Sequence, residues 1–179
     1  MITTPRLLIR PFQEKDYPDL YAYLSDPAVY RFEPGAPVSL EEAREIAIQR
    51  AHDTHYWAVI LQAADRLIGH LYFAQTGPLE YQTWELGYIF NPVFQNQGYA
   101  TEAAATLLRH GFAHWGIHRV TAHCNPENTA SWRVMEKIGL RREGFFRKNI
   151  FFQRDDNGNP LWLDTFEYAG LREEFTSEE

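Results

Sequence analysis

The chain has 179 residues and a single cysteine, Cys124, so no intramolecular disulfide can form and stability must come from packing. It has no apolar run approaching the roughly 20 residues that a membrane-crossing helix needs. The opening Met1-Ile2-Thr3-Thr4-Pro5-Arg6 lacks the apolar core of a secretion signal. Together these absences lead us to expect a reducing, cytoplasmic setting and no membrane partner. Positive charge is also short, with 17 Lys and Arg against 24 Asp and Glu and a net charge of −7. That balance argues against a general nucleic-acid or anionic-membrane binder, which needs a basic surface. Only Arg141, Arg142, Arg147 and Lys148 form a local basic spot. The histidines lack a metal-binding pattern: His110 and His114, four apart on a helix, could hold zinc only if a third ligand converged, so no metal is expected. Repeats, low-complexity tracts and internal linkers are absent as well. Hydrophobic residues make up 45% and charged residues 23%, an ordinary globular balance. We expect one domain over residues 1–175 and a frayed acidic tail over 176–179.

What is present is a regular alternation of strand-like and helix-like segments. Arg6 to Arg10 reads as a strand stopped by Pro11, followed by a helix with Pro18 in its first turn and Leu20, Tyr21 and Leu24 at helical spacing. Glu33 to Pro37 is a loop. Ser39 and Glu42 then make a capping box ahead of a helix carrying Ala43, Ile46, Ala47 and Arg50. Tyr56 to Leu61 and Leu67 to Phe73 form a hairpin turning near Asp65, and Trp84 to Phe90 is a third strand closed by Asn91-Pro92. A long helix follows, with a stripe of Ala100, Ala104, Leu107, Leu108, Phe112 and Trp115 running to Gly116. Next come a strand from Arg119 to Cys124, a helix from Ala130 to Ile138 ended by Gly139, and a hairpin turning at Asp155 to Gly158. Consecutive strands early and late, with strand–helix–strand between, imply an α/β (mixed α+β) domain whose mixed sheet is covered by helices. The strand aromatics Tyr72, Phe73, Trp84, Phe145, Phe146, Phe151, Phe152 and Trp162 are expected to be mainly core.

The segment Gln95-Asn96-Gln97-Gly98-Tyr99-Ala100 sits between a strand and the long helix. Gly98 can adopt backbone angles closed to other residues, and the first amides of the helix point outward with the positive end of its dipole behind them. That geometry attracts a phosphate or pyrophosphate, although Gly98 could also do no more than start a helix. The turn lacks the lysine and Ser/Thr of a nucleotide P-loop and the three glycines of a dinucleotide fingerprint, so metal-assisted phosphoryl transfer is not indicated.

These residues resemble Gln/Arg-x-x-Gly-x-Gly/Ala, the acetyl-CoA signature of the GNAT superfamily of N-acetyltransferases. Asn128-Thr129-Ala130-Ser131, Glu136-Lys137-Ile138-Gly139 and the opening Thr3-Thr4-Pro5-Arg6-Leu7-Leu8-Ile9-Arg10-Pro11 resemble its ribosomal-protein-type (RimJ/RimL-like) branch. The closing Asp164 with Glu167-Tyr168-Ala169 fits the same branch. The resemblance implies a largely antiparallel sheet with one splayed parallel strand pair, Trp84–Phe90 beside Arg119–Cys124, and acetyl-CoA as co-substrate in the gap. It implies that amides from Gln95 through Asn96, Gln97, Gly98, Tyr99 and Ala100 to Thr101 hold the pyrophosphate. Ile89, Phe90 and Asn91 would pair with the pantetheine arm, which Asn128 would contact. The acceptor would be a primary amine, either a protein N-terminus or a small molecule, and the chain itself would be a monomer or homodimer. Two other functions stay open, a CoA-binding module without turnover and a transferase for a larger acyl group.

The implied reaction is direct attack of the amine on the thioester, which needs a proton acceptor, an oxyanion donor and a route for the leaving thiolate. Glu85, a carboxylate in an otherwise apolar strand, is a candidate base whose pKa burial would raise; it could equally be a solvent-facing or ion-paired residue. His123 is a second candidate, since its ordinary pKa suits proton transfer. Ser131 aligns with the branch's serine near the CoA sulfur. Met135 fills the position where many relatives have a tyrosine acid, and methionine cannot donate a proton. Cys124, beside the site, reads as a small apolar filler rather than a nucleophile.

Overall fold

The structure is a computed structural model that describes residues 1–175. Thr176 to Glu179, where the frayed tail was expected, lies outside the described residues. Along the chain run β1 (Ile2–Thr3), β2 (Leu7–Pro11), α1 (Tyr17–Leu24), α2 (Leu40–Ala51), β3 (Tyr56–Leu61), β4 (Arg66–Thr76) and β5 (Thr83–Phe90). They continue as α3 (Tyr99–His114), β6 (Arg119–Cys124), α4 (Thr129–Lys137), β7 (Arg141–Arg154), β8 (Pro160–Leu171) and α5 (Arg172–Phe175). The eight strands form one sheet in the order β1-β2-β3-β4-β5-β6-β8-β7, with every neighbouring pair antiparallel except β5 and β6.

Alternation along the strands sends apolar side chains to both faces of this sheet, and helices cover each. Leu7, Ile9, Val59, Leu86 and Val120 pack with Leu107, Leu108 and Phe112 of α3 and Met135 of α4. On the other face Ala58, Ile60 and Leu67 pack with Leu20, Tyr23 and Leu24 of α1 and Ala47 of α2. Gly111 lets α3 lie close on the sheet: a Cβ there would stand 2.8 Å from both Ile117 Cδ1 and Phe73 Cε1. The Ser39/Glu42 capping box forms as expected, with Glu42 N–H donating to Ser39 Oγ at 3.2 Å and Ser39 N–H to Glu42 Oε2 at 2.7 Å.

Two readings of side-chain burial need correction. In α1 the core face is Leu20, Tyr23 and Leu24, whereas Tyr21 is exposed. The (i, i+3, i+4) stripe from Leu20 selects residues 23 and 24, and residue 21 falls a third of a turn away. In the β7–β8 hairpin, Phe145, Phe146 and Trp162 are 54%, 43% and 50% exposed rather than core. β7 is an edge strand, and its outer part has no helix layer against which to bury. There the aromatics cover one another instead, Phe151 meeting Trp162 edge-on at 5.3 Å. In the basic spot, Arg141 pairs with Glu174 and Arg142 lies over the Phe166 ring.

Candidate active site

The parallel strands β5 and β6 bond only at their starts, through Thr83↔Arg119, Trp84↔Val120 and Glu85↔Thr121. Beyond Glu85 they separate. β5 stays paired with β4 as far as Phe90, so its β6-facing edge from Leu86 onward has no strand partner among the described residues. A cavity of about 470 Å³ opens in this gap, in the ordinary range for ligand sites. Its walls come from β5 (Tyr88, Ile89, Phe90), the turn into α3, the start of α4 and the strap joining α1 to α2.

The turn is built as an anion cradle. Gly98 has φ +81°, in the left-handed region that favours glycine, and begins α3. The first helical bond runs from Glu102 N–H to the Gly98 carbonyl at 2.9 Å, so the amides of Tyr99, Ala100 and Thr101 precede it and have no acceptor within the helix. Arg6 braces the turn from β2's entry: it donates to the Gln97 carbonyl at 3.0 Å, pairs with Glu102 at 2.6 Å and lies over the Tyr99 ring at 4.5 Å. A Cβ on Gly98 would meet the Arg6 guanidinium at 3.4 Å. Arg133 and Lys137, one turn apart on α4, bring positive charge to the same cavity. A helix N-terminus, flanking cations and an unpaired strand edge in one cleft fit a CoA pyrophosphate with an extended pantetheine arm.

Most residues expected at the CoA site converge on this cavity. Ile89, Phe90, Gln95, Asn96, Gly98, Tyr99, Ala100, Thr101, Asn128 and Ser131 all line it. Two do not. Asn91 is buried and its side chain accepts from Val93 N–H at 3.0 Å. Gln97 donates from its side chain to the Val93 carbonyl. Both shape the turn. Asn128 also caps α4, accepting from Ser131 N–H at 3.1 Å.

On the cavity wall beside Ser131 stands a residue that sequence reasoning missed. Tyr88 donates to the Ser131 carbonyl at 2.8 Å and lies 3.1 Å from Ser131 Oγ. Met135, by contrast, is buried in the core. A tyrosine hydroxyl therefore reaches this region from β5 rather than from α4. Burial raises the Tyr88 phenol well above its ordinary value, keeping it a hydrogen donor. Cys124 nearby is buried and its thiol is pushed up to about 11, mainly by burial, which keeps it from acting as a thiolate nucleophile. The missed signal was parity: Tyr88 shares a strand face with Leu86 and Phe90, placing a polar tip in an apolar row.

Glu85 and His123 come together, but outside the cavity lining. His123 Nδ1 is 3.0 Å from Glu85 Oε1 and its Nε2 is 3.2 Å from Glu167 Oε2. Arg119 joins the network through Glu143 at 2.6 Å and Glu167 at 3.5 Å. The Glu85 side chain is 36% exposed. It is half-buried and turned to His123 rather than enclosed in the core. The Glu85 hydrogen bond, followed by that from Glu167, raises the His123 pKa against the opposing effect of burial. A second missed residue, Glu33, stands on the strap and faces the cavity. Among the described residues, no group of three or more His, Cys, Asp or Glu side chains could hold a metal ion.

A mixed sheet opened between two parallel strands, with a helix N-terminus at the opening, defines an acyl-CoA-dependent transferase fold. Residues 6–141 match the acetyltransferase (GNAT) domain family. The chain is 44% identical over 175 residues to the uncharacterised N-acetyltransferase YnaD of Bacillus subtilis, covering 97% of this chain and 98% of that one. It superposes on a GNAT-family acetyltransferase from Bacillus anthracis with a TM-score of 0.86 and 41% identity, covering 96% of this chain and 98% of that one. A structure of RimL, a ribosomal L7/L12 alpha-N-protein acetyltransferase in complex with coenzyme A, shares the fold at a TM-score of 0.79 and 22% identity, covering 95% and 96%. The chain belongs to the GNAT acetyltransferase family and is an N-acetyltransferase.

Proposed function

We propose that the chain transfers the acetyl group of acetyl-CoA to a primary amine within a ternary complex. The observation that carries this reading is the splay of β5 from β6, which opens onto the amide-lined start of α3 inside one cavity. The amides from Gln95 to Thr101 hold the pyrophosphate, and the free edge of β5 at Ile89 and Phe90 pairs with the pantetheine. Asn128 and Ser131, at the start of α4, border the thioester. Tyr88 and Ser131 act as one hydroxyl pair supplying a hydrogen bond to the departing sulfur. A covalent acyl-enzyme is not required.

Glu85 and His123 enter this reading as a paired unit beside the cleft. An imidazole facing two carboxylates holds its proton more tightly than a free ring, which works against it as a base at neutral pH. Support for a protein or ribosomal acceptor rests on the RimJ/RimL-like motifs around Asn128 and Glu136. The small-molecule alternative is equally compatible with the cavity. No helix among the described residues is long and apolar enough to cross a membrane. We place the activity in the cytoplasm, a reading supported by a chain with one cysteine and no possible intramolecular disulfide.

The test combines calorimetry with CoA and thiol release from acetyl-CoA over peptides and small amines. Micromolar CoA binding with amine-dependent thiol release supports the reading. CoA binding without any acetylation supports a binding module, and faster turnover of succinyl-CoA supports a larger acyl group.

A further inference from the structure

Glu33 is the single carboxylate on the cavity wall among the described residues. The strap that carries it is held at several points. Asp26 caps its short helical turn through Ala28 N–H at 2.9 Å, and Tyr30 donates to the Leu24 carbonyl at 2.9 Å. Val38 N–H also bonds Leu24 O at 3.0 Å, closing the base of the loop. Glu33 itself makes no hydrogen bond or ion pair with any described residue. Burial alone lifts its carboxyl to about 7. It lines the same cavity as Tyr88 of β5 and Ser131 of α4. The other charged groups lining the cavity are Arg31 on the same strap and Arg133 and Lys137 on α4.

An unpaired carboxylate on a part-buried cavity wall is what a positively charged acceptor would satisfy. We infer that Glu33 receives the acceptor's ammonium and takes its proton, and that the acceptor is a monoamine on an apolar stem. The stem follows from Val29, Phe32 and Ile89 on the same cavity wall. Arg31, its guanidinium 4.9 Å from the Phe32 ring centre, disfavours a second positive charge. This inference rests on the acetyl-CoA reading. In it, the ammonium gives one proton to Glu33, and the free amine forms the C–N bond. The C–S bond breaks as the adduct collapses, and the second nitrogen proton balances the thiolate. The products are the amide, the free thiol and one proton, which Glu33 passes to solvent.

The experiment uses the full chain with phenethylamine, tyramine and spermidine as acceptors, thiol release as readout, and carbon NMR titration of the glutamate carboxyls. We expect one carboxyl titrating near 7 that disappears in Glu33→Gln. We expect kcat/KM for the monoamines to fall on the order of 10²- to 10⁴-fold in that variant, with CoA affinity by calorimetry unchanged and the acidic limb of the pH profile lost. Glu33→Asp should keep the limb. A Glu33 carboxyl titrating in the ordinary range, an intact limb in Glu33→Gln, or transfer of the limb's loss to Glu85→Gln would overturn the assignment. Spermidine outrunning the monoamines, or no monoamine turning over, would overturn the acceptor class. Failure of the wild type to bind CoA would instead sink the underlying acetyl-CoA reading, a separate result.

Discussion

The Tyr88 hydroxyl donates to the Ser131 backbone carbonyl at 2.8 Å, joining the free edge of β5 to the first turn of α4 across the open gap in the sheet. Because Ser131 Oγ lies 3.1 Å from the same phenol, the two hydroxyls behave as one unit. Tyr88→Phe and Ser131→Ala should therefore each lower kcat, by up to about a hundredfold, with little change in CoA affinity. The double variant should be no worse than the more damaging single one, since members of one network are not additive. Single-turnover thiol release checks this, and additive losses would show that the two act separately.

Gly98→Glu should abolish the pyrophosphate site. The φ of +81° strains any side chain there, by about 1–3 kcal/mol, and a carboxylate would stand at the proposed pyrophosphate site. The expected weakening of CoA binding is on the order of a hundredfold or more by calorimetry. Arg6→Ala, which removes the brace to Gln97 and Glu102, should weaken binding to a smaller degree.

Glu85→Gln should act first on stability. His123 has a raised pKa in the folded chain, chiefly through its Glu85 hydrogen bond. That contribution is fully present below the unfolded value near 6.5 and is lost as pH rises through the folded value. The variant should therefore lower Tm more at pH 5.5 than at pH 8.5, and equal losses at both would show that the pairing contributes nothing to folding.

His70 should make the protein acid-sensitive. It is fully buried, and burial holds its pKa well below 6.5, followed by the nearby Arg50 charge. Tyr23, whose own phenol is strongly raised by burial, shares a hydrogen bond with His70 Nδ1 across 2.7 Å. As pH falls below about 6.5 the unfolded chain takes up a proton that the folded one refuses, so stability drops in that range. Replacing His70 with Asn should lower stability overall and flatten the slope between pH 6.5 and 5, as read by urea denaturation.

Much of the scaffold is legible in the sequence, because it is set by local rules. The capping box of Ser39 and Glu42, the left-handed Gly98 at the start of α3 and the apolar stripe of that helix each depend on residues within a turn or two of one another. The exposed aromatics of β7 and β8 were not legible. Phe145 and Trp162 carry the same local signal as buried strand aromatics, and only the absence of a covering helix leaves them in solvent. Glu85 misled because an apolar strand does not say which of its side chains the core encloses.

The sequence by itself made the proposed acyl-donor side legible: a strand, a glycine turn and a helix, contiguous in the chain, present helix-start amides by local rules, and Arg6 braces them from a distance. The grouping of the proposed catalytic side chains was decided only by tertiary structure. Glu33, Tyr88 and Ser131 are separated by tens of residues and belong to a loop, a strand and a helix. Their convergence depends on where the strap crosses the opening between β5 and β6. Desolvation, which lifts Glu33 toward 7 while leaving Glu85 part-exposed, is a property of that assembled surface and of no segment within it.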